Sequence, residues 1–276
     1  MLKNYPLWFA PAKLNLFLHI TGKRSDGYHN LQTLFQLLDH GDKLQFIPRN
    51  DNKFEAKYMI QGIKADNDLI LKAANMLYQY AIKNDLTDKK KNYGMDIYLQ
   101  KNLPMGGGLG GGSSDAATTL NALNQIWKLH LDKPILAEIG LKLGADVPVF
   151  VYGDSCWAEG VGEKLTKVSI PGSYYVVVNP NVHVSTAELF SDIGLKRNCP
   201  SIDHYDFHQT ENVFEPIVRK KYPIIEQAFE WLALFAEPRL TGTGACVFIS
   251  QQSKEDCLAI LNKLPDSYSG FYAKGI

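Results

Sequence analysis

From Ala12 to Ile20 apolar and polar positions alternate: Leu14, Leu16, Leu18 and Ile20 take one face, and Lys13, Asn15, Phe17 and His19 the other. A period of two predicts a β-strand with one committed core face. A polar, turn-rich stretch from Gly22 to Gly27 follows, and Tyr28 and His29 stand where it gives way to a second apolar run, Leu31 to Leu38. The period then changes. Leu69, Ala73, Leu77 and Ala81, with Ile70 and Ala74 beside them, recur at helical spacing and predict a helix ending near the charged run Asp85 to Lys91. Tyr93 to Leu99 reads as a strand that delivers the chain to Pro104.

Six glycines then fall within seven positions, Gly106, Gly107, Gly108, Gly110, Gly111 and Gly112, interrupted by Leu109. Ser113 and Ser114 are N-cap candidates for a helix that carries Ala116, Leu120, Leu123 and Trp127. A second helix is predicted from Pro134, suited to a first turn, to Leu143, with Gly144 as its stop. Asp146 can cap a further short apolar helix before Gly153, where we place a domain boundary, giving domains of residues 1–153 and 154–276. Beyond it, Tyr174 to Val178 is a strand, and Ser185-Thr-Ala-Glu188 spells a capping box that puts Phe190 in the first turns of a helix. Ile224 to Phe235 is helical, Leu240 to Ala245 is a second glycine loop, and Cys246 to Ile249 is a short apolar strand.

At 276 residues the chain is long for one core and comfortable for two. With 45% apolar and 21% charged residues it is an ordinary globular sequence. Its 29 basic and 29 acidic residues balance, so no global field favours nucleic acid or an anionic membrane, and a charged ligand needs a local site. Cys156, Cys199, Cys246 and Cys257 form no C-x-x-C pair and read as reduced thiols. Neither a signal peptide nor an apolar run of about 18 to 20 residues is recognisable, so a cytoplasmic location is expected.

The glycine run, between a strand and a serine-started helix, lets backbone N–H groups and a helix N-terminus face an anion. A purely structural turn rarely needs more than one or two glycines. Gly106, Gly108 and Gly111 satisfy G-x-G-x-x-G, and Asp132 lies near the distance of a ribose-binding acid, but any glycine homopolymer matches that pattern. Gly112 is followed by serine rather than by the lysine of a Walker A loop, and no H-R-D or D-F-G element follows.

The stretch Leu103-Pro-Met-Gly-Gly-Gly-Leu-Gly-Gly-Gly-Ser-Ser-Asp-Ala-Ala117 resembles the central motif of the GHMP kinases. Ala10-Pro-Ala-Lys-Leu-Asn-Leu16 is similar to that family's N-terminal motif, and Leu240-Thr-Gly-Thr-Gly-Ala-Cys-Val-Phe248 to its C-terminal glycine motif. Three motifs in order are far more specific than one glycine run. The resemblance implies an α+β fold of two domains, an N-terminal α+β domain with a left-handed βαβ crossover and a ferredoxin-like C-terminal domain. It also implies an ATP-dependent small-molecule kinase that uses Mg²⁺. Lys13 with Asn15, Gly22 to His29 and Leu143 to Phe150 resemble the members that phosphorylate an alcohol carried on cytidine diphosphate.

That likeness assigns roles. Asp146 is the candidate general base, with a helix cap as its other reading, and Lys13 is its electrostatic partner, otherwise a solvated strand lysine. Pro104, Met105, Gly106, Gly107, Gly108, Leu109, Gly110, Gly111, Gly112, Ser113 and Ser114 would hold ATP. Lys101 is either aimed at the phosphates or an exposed strand-end lysine. Asp68 stands in the Asn-Leu position that contacts adenine in the family. Tyr28, His29 and Phe190 would sandwich and read the cytosine ring. Asn15, Thr186, Gly242, Thr243 and Gly244 would contact the rest of the substrate. Metal ligands are left open, and a monomer or weak homodimer is expected. Other readings are a mevalonate- or homoserine-type kinase, a dinucleotide oxidoreductase on Gly106, Gly108 and Gly111, and an RNA-associated module, which the neutral charge disfavours.

Overall fold

The alternating segment is a strand, and a longer one than the alternation marks: β1 runs over Trp8–Lys23 and pairs with β2, His29–Pro48. This computed structural model describes residues 4–25, 27–60, 62–88 and 90–276. A one-sided strand would leave the Lys13 face wet, yet Lys13 and Asn15 are each 3% exposed and Phe17 is fully buried. Both faces of β1 are covered, so its lysine and asparagine must find polar partners.

β1 and β2 are each divided between two compact units that are not the two halves of the sequence. One unit takes the chain up to Pro11, Gly41–Leu103 and Gly111–Gly153; the other takes Ala12–His40, Pro104–Gly110 and Asp154–Ile276.

In the first unit, β4 (Met95–Gln100) pairs antiparallel with the end of β2 and parallel with β3 (Phe54–Ala56). The parallel pair exists because α1 (Leu69–Lys83) crosses between its strands. α1 buries Ile70, Ala73, Ala74, Leu77 and Ala81, the face its periodicity predicts. It packs on α2 (Gly111–Trp127), which also meets α3 (Lys133–Leu141) and α4 (Val147–Tyr152). Pro134 lies in the first turn of α3, and Gly153, left-handed at φ 73°, ends α4.

In the second unit, the first half of β2 pairs with β5 (Cys156–Gly160), which pairs with β6 (Lys164–Lys167). A separate antiparallel sheet has the order β10-β7-β9-β8, from β7 (Tyr174–Asn179), β8 (Arg239–Leu240), β9 (Val247–Gln251) and β10 (Ser269–Lys274). Between β7 and β8 lie α5 (Thr186–Ser191), α6 (Glu215–Lys221) and α7 (Pro223–Ala233); between β9 and β10 lies α8 (Lys254–Leu261). This is the ferredoxin-like order. Its core joins Val176, Val178, Val247 and Ile249 to Ile225, Phe229 and Leu232 of α7, with Leu18 and Ile20 of β1. All four cysteines are buried and unpaired. Among the described residues no helix is long and apolar enough to cross a membrane.

Candidate active site

Gly106, Gly108 and Gly110 take left-handed φ values of 67°, 74° and 72°, which explains why this loop is built from glycine. Gly110 is the last such residue, and α2 starts directly after it at Gly111. The predicted serine N-caps are therefore corrected: Ser113 and Ser114 lie inside the first turn, because left-handed Gly110 ends the loop before the chain reaches them. The first N–H groups of α2 have no intrahelical acceptor, so this start can receive an anion. Ser114 Oγ is buried without a hydrogen-bond partner, and Ser113 is half-buried.

Within the second unit the three motifs converge. Lys13 N–H donates to the Leu109 carbonyl at 3.0 Å, and Ala245 and Cys246 N–H groups donate to the Gly106 and Gly107 carbonyls, each at 3.2 Å. The Thr241 hydroxyl donates to the Gly108 carbonyl at 3.2 Å and accepts from Asn15 N–H at 3.1 Å. Lys13 Nζ donates to Asn15 Oδ1 at 2.5 Å and lies 5.4 Å from the Phe35 ring centre; Asn15 Nδ2 donates to Thr33 Oγ1 at 2.9 Å. A β-carbon at Gly242 would stand 3.4 Å from Lys13 Nζ, which places this ammonium beside the second glycine loop. Asn212 Nδ2 holds that loop through the Leu240 and Gly242 carbonyls, and Thr186 and Thr243 hydroxyls meet at 2.8 Å.

In the first unit, Lys101 is neither a free strand-end lysine nor a bare ammonium. Its Nζ donates to Asp42 Oδ2 and, at 3.0 Å, to Asp115 Oδ2. The other oxygen of fully buried Asp42 accepts the N–H groups of Asn102 at 2.6 Å and Leu103 at 2.8 Å, fixing the chain at the approach to Pro104. Burial pulls the Lys101 ammonium down, but Asp115 and Asp42 together outweigh it and its pKa lies above the ordinary lysine value. Burial drives the Asp115 carboxyl above the usual carboxylate range; Lys101 opposes this and the Asp42 charge adds to it.

Asp68 is the N-cap of α1: its Oδ1 accepts Ile70 and Leu71 N–H, and its Oδ2 accepts the Tyr58 hydroxyl at 2.7 Å. Asp146 does occupy the N-cap position of α4, but its side chain makes no cap hydrogen bond, because its backbone is already helical at φ −84°, ψ −9°. The expected cap role is thus corrected.

In the second unit, Tyr28, His29 and Phe190 line one cavity of about 640 Å³ with Lys23 and Arg197. The His29 and Phe190 rings are stacked, 5.3 Å apart and 29° from parallel, and Phe214 meets Phe190 edge-on at 4.9 Å. Tyr28 is 67% exposed. Burial first, then the Arg197 and Lys23 charges, hold the His29 pKa below its ordinary value, so the ring is neutral near pH 7.

Among the described residues no group of three or more His, Cys, Asp or Glu side chains is placed to hold a metal ion. Sequence reasoning missed Asp42, Thr33, Thr241 and Arg197 as supporting residues. For Asn212, too, no local pattern announces the loop it ties down.

Residues 68–154 match the family model described as GHMP kinases N terminal domain. The chain is 48% identical over 272 residues to 4-diphosphocytidyl-2-C-methyl-D-erythritol kinase of Hahella chejuensis, covering 97% of this chain and 92% of that protein. It is 50% identical over 268 residues to the kinase of the same name from Pseudomonas paraeruginosa, covering 96% and 92%. A crystal structure of 4-(cytidine 5'-diphospho)-2C-methyl-D-erythritol kinase superposes with a TM-score of 0.82 at 27% identity, over 98% of this chain and all of that one (100%). The mevalonate kinase of Methanococcus jannaschii, at 16% identity and a TM-score of 0.71 over 99% of both chains, shares the fold. The antiparallel ladders described above exclude the doubly wound parallel sheet that a dinucleotide reading requires.

Proposed function

The chain belongs to the GHMP kinases, and from that membership we propose that it transfers the γ-phosphoryl group of ATP to the 2-hydroxyl of 4-diphosphocytidyl-2-C-methyl-D-erythritol. The product is the 2-phosphate, an intermediate of non-mevalonate isoprenoid precursor synthesis. The observation that carries the choice of acceptor is the stacked His29–Phe190 pair with Tyr28 on one cavity, a size and chemistry suited to a pyrimidine ring.

Phosphoryl transfer is mostly positioning and charge stabilisation. In this reading the left-handed glycines and the start of α2 receive the ATP phosphates, with Ser113 the reachable hydroxyl. A Mg²⁺ ion held on the nucleotide phosphates would neutralise their charge here, which suits an ion that keeps several waters and needs few protein ligands. The acceptor oxygen bonds to the γ-phosphorus as the bond to ADP breaks, and its proton passes to the Asp146 carboxylate. Lys13, held by Asn15, polarises that hydroxyl and offsets the developing charge. Thr186, Thr243 and the glycines Gly242 and Gly244 contact the diphosphate and erythritol groups. Asp68, occupied as a cap, reaches adenine only through the turn it shapes. The reading keeps a cytoplasmic monomer or weak homodimer.

Purified protein with ATP, Mg²⁺ and the diphosphocytidyl alcohol should release ADP, while mevalonate and homoserine should not support turnover. Asp146→Asn should lower kcat by roughly 10²–10⁴ while leaving ATP binding intact. Turnover near wild type in that variant would remove Asp146 as the base, and release driven by mevalonate or homoserine alone would replace the acceptor.

A further inference from the structure

Arg197 belongs to no motif and lies on the segment after α5, yet all of its nitrogens are occupied. Its Nη2 donates to the Phe190 carbonyl at 2.7 Å and the Asp192 carbonyl at 2.9 Å, and its Nη1 to the Leu195 carbonyl at 3.1 Å. Its Nε donates to His29 Nε2 at 3.3 Å. One guanidinium therefore ties together both members of the stacked ring pair, His29 by its side chain and Phe190 by its backbone.

The bond to His29 has a chemical consequence. A guanidinium has only donors and does not deprotonate, so the nitrogen facing it must be a lone-pair acceptor. His29 Nε2 is that acceptor, and the proton of the neutral ring therefore resides on Nδ1. The charged groups that face the ring, Arg197 and Lys23 on β1, are both cationic, and with burial they oppose a second proton. The ring nitrogen that Arg197 does not engage is thus a donor, N–H, rather than an acceptor, on a residue that lines the cavity.

We propose that Arg197 is a positioning residue that fixes the tautomer of His29, and that this makes the cavity select a base with an acceptor at its ring nitrogen, as cytosine has, over one with a donor there, as uracil has. The inference rests on the acceptor reading given above. Cytosine N3 carries a lone pair, whereas uracil N3 carries hydrogen; a fixed Nδ1–H pairs with the first and meets the second donor to donor. Leaving such a donor pair unmatched is costly, which is how a polar site discriminates strongly between near isosteres. Without Arg197 the imidazole is free to place its proton on Nε2, and Nδ1 becomes an acceptor that suits uracil.

Two measurements test this. Nitrogen-15 spectra of the imidazole of His29 in the full-length protein should show Nε2 pyridine-like and Nδ1 protonated at pH 7.5, and Arg197→Met should shift the ring toward the opposite tautomer. A wild-type ring protonated on Nε2 overturns the proposal without any substrate being present. In parallel, KM for the diphosphocytidyl alcohol and for its diphosphouridyl analogue is compared in wild type, Arg197→Lys and Arg197→Met, with KM for ATP as the internal control. Arg197→Met should reduce the cytidyl preference by about tenfold or more. A merely structural role would raise both KM values together and leave their ratio unchanged, and that outcome also overturns the proposal. If wild type turns over neither compound, the acceptor reading fails instead, and the tautomer measurement still decides the role of Arg197. Should Arg197→Met not fold, Arg197→Lys, with the wild-type spectrum, carries the test.

Discussion

Gly108 and Thr241 are in backbone contact so close that a β-carbon on Gly108 would stand 2.1 Å from the Thr241 carbonyl oxygen. The central glycine motif and the C-terminal glycine motif are thus interlocked through main chain, with the Thr241 hydroxyl donating back to the Gly108 carbonyl. Gly108 also has a φ of 74°, so an alanine there is strained twice. Gly108→Ala should either prevent folding or raise the KM for ATP at least about tenfold, because no flexible side chain is present to give way. Gly62→Ala is the control: φ is 80° but nothing lies within 4 Å of the added carbon. It should cost only the left-handed strain of about 1–2 kcal/mol, read by urea unfolding, with ATP kinetics unchanged. Equal effects of the two substitutions would refute the interlock.

Asp42, itself fully buried, offers one oxygen to two backbone N–H groups and the other to Lys101. Asp42→Ala leaves two N–H groups without their acceptor and takes one of two carboxylates from the Lys101 ammonium, and should lower stability by about 3–5 kcal/mol in denaturant titrations. Asp42→Asn keeps the acceptor for the N–H groups but removes the charge. It should recover part of that loss while still raising KM for ATP, since Lys101 is then less firmly held. If Asn is no better than Ala, the N–H bonds are not what the carboxylate supplies.

The raised Asp115 carboxyl gives a pH-dependent prediction of definite sign. A carboxyl whose folded pKa exceeds its unfolded value contributes stability at low pH that is lost as pH rises through the folded value. At neutral pH and above, ionised Asp115 is therefore a burden beside Asp42, relieved in part by Lys101. Asp115→Asn should raise Tm at pH 8, and the gain should shrink and vanish toward pH 4. A gain that grows on acidification would show that Lys101, not burial, dominates the site.

Local signals were legible in the sequence and distant ones were not. The α1 face follows from its period, and Ser185 caps α5 where the capping box places it, because each depends on residues within one turn. Ser113 misled for an equally local reason: a serine after glycines looks like a cap until left-handed Gly110 is known to start the helix at Gly111. For Lys13 the pattern left a cleft residue and a solvated strand lysine both open, because alternation reports a strand's faces without reporting what covers them; Lys13 is 3% exposed. Lys101 meets Asp42 across 59 residues and Arg197 meets His29 across 168, and no periodicity encodes either meeting. Resemblance supplied Tyr28, His29 and Phe190; the side chain that orients two of them came only from the fold.

Helix α5 has six residues, too few to persist by propagation alone, so its cap carries unusual weight. Ser185 Oγ accepts the Glu188 N–H at 3.4 Å, a long bond at the start of a helix that bears both Thr186 and Phe190. Thr186 reaches Thr243 of the second glycine loop, and Phe190 stacks on His29 while its other side meets Phe214. Loosening the cap should therefore blur the base side of the cavity without touching the phosphate loop. Ser185→Ala should cost about 1 kcal/mol in stability and raise KM for the cytidyl substrate several-fold with KM for ATP unchanged. Ser185→Asp, which restores an acceptor and adds charge at the helix N-terminus, should return both values to near wild type. If Ser185→Ala changes stability but not the cytidyl KM, then Phe214 and Arg197 alone hold Phe190 in place, and the helix is scaffolding rather than part of the base site.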